Sequence, residues 1–485
     1  MTQSHLDQLT AVDASFLSNE SSASHMHIGA LLTFEGPPPD YDELLEHIRS
    51  RLHLVPRYRQ KLAIPPAESG RPFWVDDPHF NLEYHVRASA LPKPQGETEL
   101  RRLTARIYSQ QLDKSKPLWE LWLIQGLKKK RFALVSKTHH AVVDGVSGVD
   151  IGTVLFDLQR EPSTPAASDD WVARPEPSGL ELAARGWEGA AKTPLRIARK
   201  LVSAATDPGA ALSKVAEAAE GVGDVAWALA NPAPEVPINT KIGSHRRFVW
   251  NHAELEQFKL IKRTFGGTVN DVVLTVVSGA LRRWLRNRAV AVDGLELRAL
   301  VPVSIRGEDA HGQLGNQIAA VRGPLPVYVA DPVQRLRVVC EEMDDVKASN
   351  QALGAEVISR LNDFAPPTLL AQASRLNFST RLFNLIVTNV PGPQIPLYML
   401  GNELLDVFPI AFLPEDHALA IAIMSYNGGI NFGLLADYDS VDDILVLHEG
   451  LKLEIRELHK LAVREAKRLD AEGADATGAE AKAAS

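Results

Sequence analysis

The sequence predicts an α/β protein made of two comparable halves joined by a helical connector, and three observations carry that prediction. Short β-like runs alternate with amphipathic helical stretches near the start and again in the second half. Two Pro-rich breaks separate these regions. The stretch between the breaks is Ala-rich and helical in period. With 485 residues and 45% hydrophobic content, the chain has material for more than one core.

In the first block, "GALLTFEG", "LEYHVRAS", "LWLIQGL" and "RFALVSKTHH" read as strands, and "YDELLEHIRSRL" and "ETELRRLTARIYSQQL" as helices. The last block repeats the style, with helices at "NDVVLTVVSGALRRWLRNR" and "VQRLRVVCEEMDDVKASN" among strands "LRALVPVSI", "FNLIVTNV" and "INFGLLADY". No residue-level repeat links the two. The breaks lie at Glu161–Gly179 and Asn231–Thr240. The expected organisation is therefore an N-terminal domain over 1–160, linkers and connector over 161–240, and a C-terminal domain over 241–470. The tail, 471–485, is expected to be disordered because it holds no large apolar residue. Inside the connector, Lys192, Arg196, Arg199 and Lys200 accompany Leu195, Ile197, Leu201 and Val202. Such a stretch suits either an anionic membrane surface or plain solvent.

Composition excludes several classes. A net charge of -8 gives no electrostatic basis for nucleic-acid binding. One cysteine, Cys340, forms neither an intramolecular disulfide nor a thiolate metal cluster, which fits a reducing cytoplasm. The N-terminus lacks the basic-then-apolar order of a secretory leader, so no export is expected. The longest apolar runs fall short of the ~20 residues that a spanning helix needs.

The chemistry concentrates in "FALVSKTHHAVVDGVSGVD", Phe132 to Asp150. Strand alternation puts His140, Thr138 and Ser136 on one face, with His139 and Lys137 on the other. "VDGVSG" then reads as a turn, with Gly145 free to take unusual backbone angles or to admit a ligand closely, before a helix from about Val149 to Leu158. Asp144, at that turn, is placed to orient the His140 region. An imidazole here suits general-base chemistry, taking a proton from an alcohol as it attacks an acyl carbonyl. The chain has no G-x-S-x-G elbow, and Cys340 lies in a helical stretch without a nearby histidine, so a covalent acyl-enzyme is disfavoured. On spacing alone two other readings stay open: a structural histidine pair, and a metal site of His139, His140 and Asp144.

"HHAVVDG" resembles the H-H-x-x-x-D-G motif of the acyl-CoA-dependent acyltransferases, which include chloramphenicol acetyltransferase and the condensation domains of peptide synthetases. Further stretches narrow the resemblance: "LTAVDASFL", "HMHIGALLTFEG", "PLWELWLIQGL", "GGTVNDVVLTVVSGALRRWL", "VPVSIRG", "LGNQ", "TNVPGP" and "YNGGINFGLLADYD". In this order, over nearly the whole chain, they resemble the bacterial wax ester synthase/acyl-CoA:diacylglycerol acyltransferase family.

The resemblance implies two chloramphenicol-acetyltransferase-like, condensation-type domains with a tunnel between them. It implies His140 as the base, His139 and Asp144 as its supports, and Gly145 beside the acyl-CoA channel. Pro117, Leu118 and Trp119 match a P-L-W motif, and Asn270 and Asp271 an N-D motif; the first three and Asp271 are candidate substrate-binding residues. Thr388 stands where serine is expected. The P-L-W motif reads most simply as strand-entry packing and Asn270-Asp271 as a helix cap; the sharper expectation makes Asn270 a donor to the developing oxyanion. The implied substrates are acyl-CoA with diacylglycerol or a fatty alcohol. No metal or redox cofactor is implied. The implied location is the cytoplasm, peripheral to the inner membrane or to lipid inclusions. A carrier-protein-dependent condensation enzyme and a catalytically silent lipid binder are the alternatives.

Overall fold

The computed structural model describes residues 7–66, 70–143, 155–161, 171–185, 231–304, 318–348 and 378–483. In chain order the N-terminal half runs β1 (Asp7–Gln8), α1 (Ala11–Asn19), β2 (His27–Glu35), α2 (Tyr41–Arg49), β3 (Gln60–Ala63) and β4 (Phe73–Asp76). It continues with α3 (Leu82–His85), β5 (Val86–Ala90), α4 (Glu97–Tyr108), β6 (Trp119–Leu127) and β7 (Arg131–His139). The C-terminal half opens with β8 (Arg246–Glu254), α5 (Leu255–Phe265), α6 (Val269–Asn287), β9 (Leu297–Ser304), β10 (Ile318–Leu325) and α7 (Pro332–Ala348). It closes with β11 (Leu385–Pro391), β12 (Tyr398–Met399), β13 (Asn402–Ile410), β14 (Leu419–Tyr426), β15 (Gly429–Asp437) and α8 (Ile444–Ala483).

Two six-stranded mixed sheets organise these elements, as the α/β reading expects. One has the order β10-β9-β11-β14-β15-β8, and the other β12-β13-β2-β7-β6-β5. The second order departs from a clean division at residue 240. β12 and β13 come from the C-terminal half, yet β13 pairs antiparallel with β2 from Ile410↔Gly29 to Leu404↔Phe34. The first sheet is built from the C-terminal half alone, whereas the second draws strands from both halves.

Close backbone approach makes that excursion possible. A Cβ on Gly433 would lie 1.8 Å from the Pro409 carbonyl oxygen, so only glycine lets β13 pass β15 this tightly. Beside the crossing, His252 of β8 donates to Asp406 of β13 (3.1 Å) and to Asn431 of β15 (2.8 Å). The Asp406 carboxylate, with smaller help from Asn431, raises the His252 pKa to about 9, so it is cationic at neutral pH and latches the excursion to the parent sheet.

The core follows the same plan. α6 is buried all round from Val272 to Leu281, a stretch whose sequence carries no charge. A second apolar cluster fills the N-terminal half around Phe34, Phe132 and Trp119. A third contains residues of both halves, among them Met26, Leu31, Phe383, Phe408 and Phe412. α5 and α6 bend by 100° across their junction, where Gly266 closes α5 at φ +90°. No single helix among the described residues is long and apolar enough to cross a membrane.

Two expectations are corrected. The helix α8 continues to Ala483 where disorder was expected, because Ala, Glu and Lys are strong helix formers even without apolar residues to bury. The end of the first Pro-rich break is docked against the N-terminal half: Arg174 grips Asp76 through two nitrogens (both 2.9 Å), and Arg59 lies over the Trp171 ring. The basic stretch Lys192–Lys200 falls outside the described residues.

Candidate active site

Strand β7 delivers the histidine pair. Its alternation holds through His139, but the strand ends there, and His140 opens a short 3-10 turn instead of continuing the face of Thr138 and Ser136. The turn is fixed from both sides. His140 N–H donates to the Met26 carbonyl (2.9 Å), and the His139 Nδ1 accepts from Ala141 N–H (3.0 Å). His139 therefore caps the turn that carries its neighbour.

With Nδ1 used as an acceptor, the His139 proton sits on Nε2, which faces the Glu20 carboxylate at 3.8 Å. Glu20 follows α1 directly, its side chain is sealed from solvent, and it pairs with Lys114. Burial raises the Glu20 pKa. Burial likewise lowers that of His139 to about 3, with the His140 and Lys114 charges adding to the effect. Across the sheet His27 lies opposite His139 in register, and His25 lies beside His27 with ring centroids 5.5 Å apart. Burial depresses both.

His140 is held differently. Its Nδ1 is shut away from solvent and has no hydrogen-bond partner among the described residues. Phe16 of α1 stacks on its ring at 3.9 Å between centroids, and Phe412 meets it edge-on at 5.5 Å. Desolvation lowers its pKa to about 4.

The remaining expected residues are placed as follows. Pro117, Leu118 and Trp119 are buried core. Trp119 stacks on His85 (4.7 Å, 14°) and donates Nε1–H to the Tyr58 carbonyl (2.8 Å). Its motif acts on the site through the backbone, since the Leu118 carbonyl accepts from His139 N–H (3.0 Å). Asp271, expected at the substrate, is engaged in a capping box with Thr268: Thr268 N–H donates to its Oδ2 (2.7 Å) and Asp271 N–H donates to the Thr268 hydroxyl (3.2 Å). The cap is thus Thr268, which frees Asn270. Asn389 of β11 donates to Asn270 Oδ1 (3.3 Å), leaving the Asn270 amide hydrogens for another acceptor. Asp144 and Gly145 lie outside the described residues. Among the described residues no three His, Cys, Asp or Glu side chains converge as metal ligands.

This division of labour predicts opposite outcomes at the start of α6. Asn270→Ala should lower kcat while leaving the thermal midpoint nearly unchanged. Thr268→Ala should cost about 1 kcal/mol of stability. Equal loss of stability in both variants would assign Asn270 to the helix cap.

Sequence comparison agrees with the motif order. A family model described as wax ester synthase/diacylglycerol acyltransferase catalytic domain matches residues 9–273, and the C-terminal domain of the same family matches 314–459. The chain belongs to the wax ester synthase/diacylglycerol acyltransferase family. The catalytic-domain match runs past the second Pro-rich break to the first turn of α6, so the family domain takes in both the histidine pair and Asn270.

Individual members of the family agree. A probable diacylglycerol O-acyltransferase of Mycobacterium tuberculosis is 31% identical over 463 residues, covering 95% of this chain and 97% of the relative. The solved wax ester synthase/diacylglycerol acyltransferase from Marinobacter aquaeolei VT8 superposes with a TM-score of 0.66 at 26% identity, over 94% of this chain and 99% of that one. The first condensation domain of the calcium-dependent antibiotic synthetase shares the fold, with a TM-score of 0.57 at 18% identity over 95% and 97% of the two chains.

Proximity in space, not in sequence, assembles the residues that the sequence reading did not single out. Phe16 and Glu20 arrive from α1 and Phe412 from beyond β13. The one local signal was the Thr268-x-x-Asp271 spacing of a capping box.

Proposed function

We propose that this acyltransferase moves a fatty acyl group from acyl-CoA to the hydroxyl of diacylglycerol or of a long-chain alcohol, with His140 as general base and no covalent acyl-enzyme. The observation that supports this most is the state of His140. Desolvation holds its pKa near 4, so at neutral pH the ring is uncharged and keeps a lone pair that can take a proton; with Nδ1 shut away from solvent, Nε2 is the nitrogen we assign to that task. Family membership supplies the class of reaction.

The steps balance without another reactant. Nε2 takes the acceptor's hydroxyl proton as its oxygen adds to the thioester carbonyl. The tetrahedral intermediate collapses, the C–S bond breaks, and the departing thiolate takes the proton back from His140. Asn270, oriented by Asn389, is proposed as donor to the oxyanion. His139 serves indirectly, by holding the turn. Cytoplasmic placement with peripheral contact at a membrane or lipid inclusion is part of the same proposal, because both acceptors are lipids.

Thiol release from palmitoyl-CoA, measured with and without hexadecanol or a diacylglycerol, tests the reading. Acceptor-dependent release is expected, and the faster acceptor identifies the product as wax ester or triacylglycerol. Release that requires an acyl-carrier protein instead of acyl-CoA would move the chain to the condensation-type reading.

A pH series adds a second test. Because the folded pKa of His140 is near 4, kcat/KM should stay level from pH 7 down to about pH 5 and fall near 4. Stability should behave otherwise. His139 and His140 titrate near 3 and 4 when folded but near the ordinary 6.5 when unfolded, so the unfolded chain binds more protons between these values. Their stabilising contribution is complete above about pH 6.5 and declines as pH falls. The thermal midpoint should therefore drop between pH 7 and 4 before catalysis per folded molecule does. An acid limb of kcat/KM near 6.5 would contradict a buried base.

A further inference from the structure

His140 is gripped by carbon, whereas its neighbour is gripped by hydrogen bonds. Phe16 lies nearly flat on the imidazole, with 20° between planes, and Phe412 stands perpendicular to it at 89°. Phe378 completes the group, 6.1 Å from Phe16 and 5.7 Å from Phe412. Phe16 and Phe412 are themselves 5.9 Å apart and edge to face. The three rings come from both halves of the chain, and all pack against the apolar cluster that the halves share.

Phe16 is also well anchored. Its helix is capped by Thr10, whose hydroxyl accepts from Asp13 N–H (3.1 Å), and it seats Ala14 and Ser15 in the interior. The residue after that helix is Glu20, which faces His139. One nine-residue helix thus presents Phe16 to the second histidine and ends at the carboxylate that addresses the first.

We propose that Phe16 is a positioning residue for His140, and that Phe16, Phe378 and Phe412 together keep water from the base so that the site transfers acyl groups instead of hydrolysing them. The chemistry explains why such a device is needed. Hydrolysis uses the same steps with water as the acceptor: water oxygen adds to the thioester carbonyl, His140 takes the proton, and the C–S bond breaks. The thiolate leaves with that proton, giving fatty acid and CoA. Nothing in a bare histidine distinguishes a lipid hydroxyl from water, so exclusion has to come from what surrounds the ring. With Nδ1 unpartnered among the described residues, the contacts of Phe16 and Phe412 hold the plane of the ring.

This inference rests on His140 being the base, and the experiment separates the two. Ester, free fatty acid and thiol are quantified from palmitoyl-CoA with and without hexadecanol for wild type, Phe16→Leu, Phe16→Tyr and His140→Ala. Phe16→Leu is expected to lower kcat for transfer by roughly 10-fold or more, as a small misplacement of a reacting group does, with KM for palmitoyl-CoA within about twofold. Its ratio of fatty acid to ester should rise several-fold. Phe16→Tyr, which keeps a stacking ring, should restore both values. Phe412→Leu should raise the same ratio and serves as the test if Phe16→Leu does not fold. Wild-type kcat and product ratio in Phe16→Leu, or equal impairment in the Leu and Tyr variants, would overturn the positioning role while loss of activity in His140→Ala left the base intact. Full thiol release by His140→Ala would instead overturn the base assignment on which the inference rests.

Discussion

His140→Ala should abolish acceptor-dependent thiol release from palmitoyl-CoA, with a loss of about 10²–10⁴ in kcat, the usual worth of a positioned general base. The fold should survive, because His140 lies in a short turn after β7 and its side chain makes no hydrogen bond to another residue among those described. The neighbouring substitution behaves differently. His139 caps that turn through Ala141 N–H and faces a buried carboxylate, so removing it disturbs the placement of His140 and leaves Glu20 with Lys114 alone. The comparison is made by single-turnover kinetics on folded protein. A His140→Ala enzyme that kept wild-type turnover would assign the base elsewhere.

The second large effect is expected in the core beside β7. Trp119→Ala should destabilise the protein by about 3–5 kcal/mol, since the indole is fully buried and a cavity would replace it. It would also remove the indole N–H that the Tyr58 carbonyl accepts from. Trp119→Phe keeps the stack on His85 and should lose only about 1–2 kcal/mol, chiefly for the hydrogen bond. Urea denaturation measures both. Because β6 lies beside β7, with Trp119 opposite Thr138, activity should fall with stability in the alanine variant. A Trp119→Ala protein of wild-type stability but impaired KM would restore the substrate-contact reading of the P-L-W motif.

What the sequence made legible was local. Alternation located β7, and the unbroken apolar run after Asp271 located α6, because both signals repeat within a few residues. The break in alternation at His140 was not legible, since it depends on the Met26 carbonyl more than a hundred positions away. Asp271 read both as a helix cap and as a candidate substrate residue, and its spacing from Thr268 is that of the capping box it forms. Phe16 and Phe412 had no such signal: an aromatic residue near a histidine in space leaves no trace in a periodicity. The tail shows the reverse error, where lack of apolar residues argued for disorder and Ala-rich propensity carried the helix on.

The crossing of β13 also sets a schedule for the ribosome. β2 and β7 are synthesised early, but the strand that covers the outer edge of β2 ends at Ile410, roughly 270 residues after His139. At about 5–20 residues per second this leaves a nascent sheet open for tens of seconds. The waiting edge carries Leu31, Leu32 and Phe34, an apolar template of the kind that recruits stray strands. Production of this protein therefore depends on what shelters that edge while the rest of the chain emerges, and translation speed between the two halves becomes a determinant of yield.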